Sequence, residues 1–256
     1  MAAFEESQPW GFTRYDVVPG THVSISTARQ RVDLITNPCF GRILFLDGIL
    51  QSASKDEAMY HRALIQPVER MQAVEKVLIL GGAEGAAARE VFRSYPDVKG
   101  VVMVDWDAEL VAWMRDREAG EAERAAFADP RLTIVAEDAN VFLSTADTFF
   151  DAIFVDLLDP DMDTWEWLAT VIVKCVARLS PGGMLTMNLG SNKKVADRIV
   201  SHLRQNCWMW TLTPFRIFVP SFQEPWILAR ITSEPAPLQS LTHDDWDQEH
   251  DVRYEE

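Results

Sequence analysis

The stretch Lys76-Val77-Leu78-Ile79-Leu80-Gly81-Gly82-Ala83-Glu84-Gly85-Ala86-Ala87-Ala88-Arg89-Glu90-Val91 sets the fold class. Val77 to Leu80 is an unbroken apolar run, the pattern of a strand covered on both faces. The glycines that follow make a turn whose backbone can come close to a ligand. The run from Ala86 to Val91 is rich in helix formers. Strand, glycine turn and helix in that order open a βαβ unit.

The alternation continues downstream. Val101-Val102-Met103-Val104 predicts a second strand ending at Asp105, followed by a helix over 108–127. Leu132-Thr133-Ile134-Val135 predicts a third strand, and Ala152-Ile153-Phe154-Val155 a fourth that ends at Asp156. A helix over 164–179 precedes Met184-Leu185-Thr186-Met187, which follows the turn Pro181-Gly182-Gly183. Strands alternating with helices predict a Rossmann-like α/β fold with a doubly wound, mostly parallel sheet. Upstream, Val17-Val18, His22-Val23-Ser24-Ile25 and Val32-Asp33-Leu34-Ile35 are short apolar stretches between Pro-Gly and Asn-Pro turns, and Asp47-Gly48 is a favoured hairpin turn. They predict a small antiparallel β region, with a helix over 56–72 after it. The expected organisation is an N-terminal β-hairpin domain over 1–55, a Rossmann-like domain over 56–233 and an acidic tail over 234–256.

Composition narrows the partners. The 256 residues carry a formal net charge of −15, which argues against nucleic acid, whose binding surfaces need clustered Lys and Arg. An acidic surface serves solubility first and is compatible with a cationic substrate. Apolar runs are too short to span a bilayer, and the first ten residues lack the basic-then-apolar pattern of a signal peptide. Cys39, Cys175 and Cys207 form no metal-binding or disulfide pattern, so the expectation is a cytoplasmic protein without a metal site.

In an open α/β sheet, ligands bind beyond the carboxyl ends of the strands, so the residues there carry the chemistry. The first end holds Glu84 within its glycine turn and the second holds Asp105, placed to accept from ribose hydroxyls. Glu137-Asp138-Ala139 at the third could meet an adenine amino group, and Asp156-Leu157-Leu158-Asp159-Pro160 closes the fourth. A dinucleotide needs its pyrophosphate at the helix start, and Glu84 would repel it. Four acidic strand ends suit a cationic nucleoside without phosphate, an adenosyl sulfonium. Asp105, Asp138 and Asp159 also fit the plainer role of helix N-cap.

Together these segments resemble the spermidine synthase (polyamine aminopropyltransferase) family. The family stretch Leu-x-Leu-Asp-Gly-x-x-Gln is matched by Leu44 to Gln51, and Asp-Glu-x-x-Tyr-His by Asp56 to His61. Its glycine turn followed by Arg-Glu is matched by Gly81 to Ala86 and Arg89-Glu90. Its acidic second strand end is matched by Asp105-Trp106-Asp107, and its Asp-Ser-Ser-Asp-Pro by Asp156 to Pro160. The resemblance covers residues 28–230. It implies aminopropyl transfer from decarboxylated S-adenosylmethionine, a co-substrate rather than a bound cofactor, to a di- or polyamine, with methylthioadenosine released. Asp156, with Tyr60, would be catalytic. Gln30, Gln51, Gly82, Glu84, Asp105, Asp138 and Ala139 would bind the co-substrate, and Tyr60, His61, Asp159 and Phe222 the acceptor. A homodimer or homotetramer is implied as well.

The chain departs from the family at several of these positions. Ala83 and Ala86 stand for glycines, Glu84 for Asp and Asp105 for Glu. Leu157-Leu158 stands for small hydroxyl residues, 161–167 for a Gly-Pro-Ala segment, and Phe222 for Tyr. Two other readings therefore stay open: a homologue that keeps the fold without activity, and an S-adenosylmethionine-dependent methyltransferase. Trp165, Trp167, Trp208 and Trp210 are expected to serve packing or assembly before an ammonium box, and His250 a structural role.

Overall fold

A computed structural model describes residues 2–8, 11–65 and 73–232. The expected acidic tail, His250 and the end of the expected helix over 56–72 lie outside them. β1 (Ala2–Gln8) and β2 (Gly11–Val17) pair antiparallel. β3 (Val23–Ser26), β4 (Arg31–Asn37), β5 (Gly41–Leu46) and β6 (Ile49–Ala53) form a four-stranded antiparallel sheet, with Asp47-Gly48 at the β5–β6 turn. Strand pairing thus reaches back to Ala2, well before the first apolar stretch in the sequence. Glu6, in β1, is buried, accepting from Tyr15 Oη at 2.8 Å and from Leu50 N at 2.9 Å.

After α1 (Glu57–Ile65) comes the main sheet. It contains β7 (Lys76–Gly81), β8 (Gly100–Asp105), β9 (Leu132–Ala136), β10 (Phe150–Asp156), β11 (Leu179–Asn188), β12 (Thr211–Phe218) and β13 (Pro225–Thr232). Their spatial order is β12-β13-β11-β10-β7-β8-β9, parallel from β11 to β9, with β13 antiparallel to both β11 and β12. The order reverses between β7 and β10, which opens a crevice at their carboxyl ends. The chain crosses between strands through α2 (Ala86–Ser94), α3 (Ala108–Trp113), α4 (Glu121–Phe127), α5 (Ala139–Thr145), α6 (Trp165–Val176) and α7 (Lys193–Asn206). Period-2 alternation along β7 divides the core between two layers. Val77 and Ile79 join Leu64 of α1 and Ala87 and Val91 of α2, whereas Leu78 and Leu80 join Leu143 of α5 and Leu168 and Ile172 of α6.

Two elements differ from expectation. The single helix over 108–127 is interrupted by a π-helical turn at Met114–Glu118 and restarts after Gly120. Arg42 from β5 forks onto the Glu118 carbonyl at 2.6 Å and its carboxylate at 2.7 Å, so a distant cation takes the oxygen that would have continued the helix. The strand expected at 184–187 begins earlier, at Leu179, and the Pro181-Gly182-Gly183 segment lies within it at a register shift against β10. Among the described residues, no helix is long and apolar enough to cross a membrane.

Gly81 sets how closely β7 approaches β10. A Cβ there would lie 1.9 Å from the Asp156 carbonyl oxygen, and φ is +88°. Gly81→Ala should therefore cost about 3 kcal/mol or more, the sum of overpacking and left-handed strain. Gly100→Ala, with open space around its Cβ site, should stay within about 0.5 kcal/mol of the parent. Urea unfolding of the two variants checks the contrast.

Candidate active site

The crevice beyond β7, β8, β9 and β10 is a cavity of about 570 Å³, and every expected site residue lines it. Gly81, Gly82 and Gly85 carry the positive φ angles of the glycine turn, +88°, +95° and +86°. Ala83 and Ala86 do not fall in that region, so the two alanines that replace glycines impose no backbone strain. Gly85 opens α2.

The turn holds Glu84 where three elements meet. Ser52 Oγ of β6 donates to Glu84 Oε2 at 2.5 Å, and His61 Nε2 of α1 lies 3.6 Å from Glu84 Oε1. Tyr60 Oη donates to Asp156 Oδ1 at 2.5 Å, and His61 Nε2 lies 4.0 Å from Asp156 Oδ2. His61 therefore sits between the two carboxylates. Its Nδ1 is 2.7 Å from Glu57 Oε2, and Arg89 of α2 binds both oxygens of Glu57, at 2.9 and 3.0 Å. Tyr60 and His61, at successive helical positions, are both buried.

Burial and neighbouring charge set the protonation of this group. Burial raises the pKa of Asp156, and His61 and the Tyr60 hydroxyl pull against it. Burial likewise raises Glu84, opposed by His61 and Ser52. Burial works against charge on His61, but the Glu57 hydrogen bond and the charges of Glu84, Glu57 and Asp156 prevail and lift it to about 9. Burial would raise Glu57, yet His61 and Arg89 hold it down at about 2. Burial, then the Asp156 charge, pushes the Tyr60 phenol well above its ordinary value. His61 is thus held as an imidazolium at neutral pH by the carboxyl groups around it.

At the carboxyl end of β8, Asp105 Oδ1 accepts from Asp107 N at 2.9 Å. Burial raises Asp105 to about 6 against that bond. The α3 cap is Asp107, whose Oδ1 accepts from Leu110 N, so the N-cap alternative fails for Asp105. It holds for Asp138, whose Oδ1 takes both Asn140 N and Val141 N at the start of α5 while the residue lines the cavity beside Ala139. Gln51 donates to Ile49 O at 3.3 Å and Gln30 to Asp107 Oδ2 at 2.9 Å.

The opposite side is more aromatic. Phe222 packs edge-on to Tyr60 and against Trp226, with centroids 5.8 and 4.6 Å apart. It sits in a 3-10 turn, Pro220–Phe222, pinned where Ser221 N and Oγ donate to the buried carboxylate of Asp56 at 2.7 and 2.9 Å. Asp159 is not a helix cap. Its Oδ1 accepts from Asn188 Nδ2 at 2.8 Å, while Asn188 Oδ1 accepts from Gly190 N and Trp226 Nε1. Desolvation by the surrounding protein raises the Asp159 carboxyl to about 6, opposed by the Asn188 hydrogen bond and reinforced by the charges of Asp156 and Glu224. The four tryptophans form no box. Trp208 is 76% exposed, Trp165 meets His202, and Trp167 alone of them lines the cavity.

The spermine/spermidine synthase domain model matches residues 56–241. This chain belongs to the spermine/spermidine synthase family. Its relatives include the polyamine aminopropyltransferases of two Synechococcus strains, JA-2-3B'a(2-13) and JA-3-3Ab. The first is 34% identical, over 89% of this chain and 75% of the relative; the second is 35% identical, over 93% and 80%. Spermidine synthase from Thermotoga maritima superposes with a TM-score of 0.79 at 21% identity, over 93% of this chain and 81% of that one. A spermidine synthase in complex with the transition state analogue AdoDATO gives the same score at 22% identity, over 93% and 82%. Within this family member, Ser52, Asn188, Trp226 and the Glu57–Arg89 pair escaped the sequence reading, because their partners lie about thirty or more positions away except for the Glu57–His61 pair.

The raised pKa of Asp105 has a consequence for stability. At about 6 in the fold against about 3.9 for a free aspartate, its ionised form is disfavoured by folding, so stability is lost as pH rises from about 4 through 6. Asp105→Asn keeps an oxygen for Asp107 N. It should raise the melting temperature of the free protein by a few degrees at pH 7.5, with the gain fading below about pH 4. Melting curves across that range, with the parent as reference, measure it.

Proposed function

We propose that the protein transfers the aminopropyl group of decarboxylated S-adenosylmethionine to a di- or polyamine, with Asp156 as the proton acceptor. The observation that carries this reading is the Tyr60–Asp156 hydrogen bond at the carboxyl end of β10, with His61 between Asp156 and Glu84. A sulfonium is an activated leaving group, so the protein's work is alignment and proton removal. The amine nitrogen attacks the aminopropyl carbon next to sulfur, the new C–N bond forms as the C–S bond breaks, and methylthioadenosine leaves. The nitrogen's surplus proton passes to Asp156.

An alkylamine has a pKa of about 10.4 and is mostly charged at neutral pH. A base with a raised pKa is better matched to that proton than an ordinary aspartate. Tyr60 orients Asp156 by donating to one oxygen and leaves the other to the site. In this reading Glu84, fixed by Ser52, takes the ammonium of the aminopropyl arm and repels the carboxylate of S-adenosylmethionine itself, which disfavours methyl transfer. Asp105, Gln30 and Gln51 take the ribose side, Gly82 the sulfonium side, Asp138 and Ala139 the adenine. Asp159, held by Asn188, takes a distal ammonium of the acceptor along the aromatic wall of Phe222. His61 carries the compensating positive charge between Glu84 and Asp156. The intact Tyr60–Asp156 pair speaks against a fold kept without activity. The resemblance implies a homodimer or homotetramer, which sedimentation tests, and the cysteine pattern fits a cytoplasmic location.

Decarboxylated S-adenosylmethionine offered with a panel of di- and triamines should yield methylthioadenosine and a lengthened amine by mass. Release with none of them at millimolar concentration would rule the reading out. Asp156→Asn should lower kcat by roughly 10²–10⁴-fold while methylthioadenosine binding, followed by calorimetry, persists. Loss of binding as well would assign Asp156 to ligand affinity instead. Tyr60→Phe should lower kcat by a smaller factor and shift the acid limb of the kcat–pH profile.

A further inference from the structure

Asp107 does not line the cavity, yet it touches two residues that do. It is 1% exposed. Its Oδ2 accepts from Thr27 Oγ1 at 2.7 Å and from Gln30 Nε2 at 2.9 Å. Its Oδ1 caps α3 through Leu110 N at 3.0 Å, and its own N donates to Asp105 Oδ1 at 2.9 Å. The loop that brings Gln30, between β3 and β4, is fastened a second time where Ala28 N donates to Glu109 Oε2 at 2.9 Å. Gln30 and Asp105 both face the cavity, and both are tied to residue 107.

We propose that Asp107 is a positioning residue for the nucleoside site, which locks the Gln30 carboxamide with Oε1 toward the cavity so that Gln30 and Asp105 together present acceptors to the vicinal hydroxyls of a ribose. The proposal deepens the adenosyl reading above and rests on it. A carboxylate offers only lone pairs, whereas the two ends of a glutamine amide differ: NH₂ donates and oxygen accepts. With Asp107 Oδ2 on one side, NH₂ must face inward and Oε1 is the end left for ligand. An untethered glutamine could turn either end to the cavity. The tether makes both groups acceptors, which selects for a ligand with two adjacent donors and against one bearing phosphate there.

Asp107→Asn changes one atom of this arrangement. Asparagine caps a helix as well as aspartate does, so its oxygen can keep Leu110 N while its nitrogen takes the place of Oδ2. The Thr27 hydroxyl, which already accepts from Arg29 N and Gln30 N at 3.1 Å each, can turn its proton to the Gln30 carbonyl at 3.2 Å instead. Gln30 has no such freedom without consequence: it must turn Oε1 inward and offer NH₂ to the cavity, where it meets the ribose hydroxyls as a donor. Adding Gln30→Glu repairs the polarity, since one carboxylate oxygen accepts from the introduced amide and the other faces the ligand. Gln30→Glu alone places two carboxylates in contact.

The test is calorimetric titration of the full chain with methylthioadenosine, for the parent, the two single variants and the double variant. Melting temperatures report whether each is folded. Asp107→Asn should weaken binding about tenfold, Gln30→Glu should weaken it too, and the double variant should bind more tightly than either. Parent-like affinity in Asp107→Asn overturns the proposal, and so does a double variant no better than Asp107→Asn, because a purely structural role would not be rescued at position 30. Should a variant fail to fold, exchange of the Gln30 side-chain amide protons in the parent decides: slow exchange without ligand supports the tether, and exchange at the rate of a free amide overturns it. If the parent itself does not bind methylthioadenosine, the adenosyl reading falls and this proposal with it; binding by the parent without coupling between positions 30 and 107 removes this proposal alone.

Discussion

At Gly81 the backbones of β7 and β10 pass so closely that one methyl group would sit 1.9 Å from the Asp156 carbonyl oxygen. That approach occurs where the strand order reverses, so the chain leaves β7 and β10 toward opposite faces of the sheet. The gap between the departing chains is the cavity. Because the two strands stay adjacent to their last paired residues, Asp156 with Gly81, Glu84 and Asp156 come into one electrostatic environment. The rest of the site is arranged around keeping those two carboxylates together.

Two carboxylates that are only 17–18% exposed in their side chains repel each other and lose hydration. His61 answers this from α1, and His61 is charged in turn because Glu57 and Arg89 stand behind it. The polar chain Arg89–Glu57–His61 thus runs from α2 through α1 into the cavity. It links the two helices on one side of the sheet to the groups that would carry out the reaction. Each buried charge has a partner of opposite sign or a hydrogen-bond donor, the condition under which such a cluster can persist in a fold. The carboxylates remain raised in pKa, so part of the desolvation cost is left in the site. In an aminopropyltransferase the arriving cations would relieve it.

The positions where the chain departs from its family are accommodated in different ways. Ala83 and Ala86 cost no strain, because positive φ falls on the glycines that remain. Phe222 lacks the hydroxyl of the family's tyrosine, its ring packs against Tyr60 and Trp226, and Asp56 holds its turn in place through Ser221. Leu157 and Leu158 line the cavity as well. At these positions the cavity lining is therefore more apolar than the family motif implies, while Tyr60 and Asp156 match it.

The sequence by itself determined the order of strands and helices, the glycine turn and the acidic strand ends, because each is encoded locally: a four-residue apolar run, a residue tolerant of positive φ, a charge at the end of a strand. It also supplied the hairpin at Asp47-Gly48 and, through the combined motifs, the family. Only the tertiary structure decided which groups answer which. Ser52 meets Glu84 from 32 positions away, Asn188 meets Asp159 from 29, and Gln30 meets Asp107 from 77. Asp138 and Asp107 turned out to cap helices while Asp105 did not, a distinction that depends on the path of the backbone beyond the strand and leaves no mark on residue type. The break in the helix after Trp113 is of the same kind: residues 108–127 are compatible with a continuous helix, and it is Arg42, from another sheet, that takes the Glu118 carbonyl. Local pattern placed the acidic residues at one edge of a sheet; long-range hydrogen bonds, possible only once the chain had folded, decided which of their oxygens remain for a ligand.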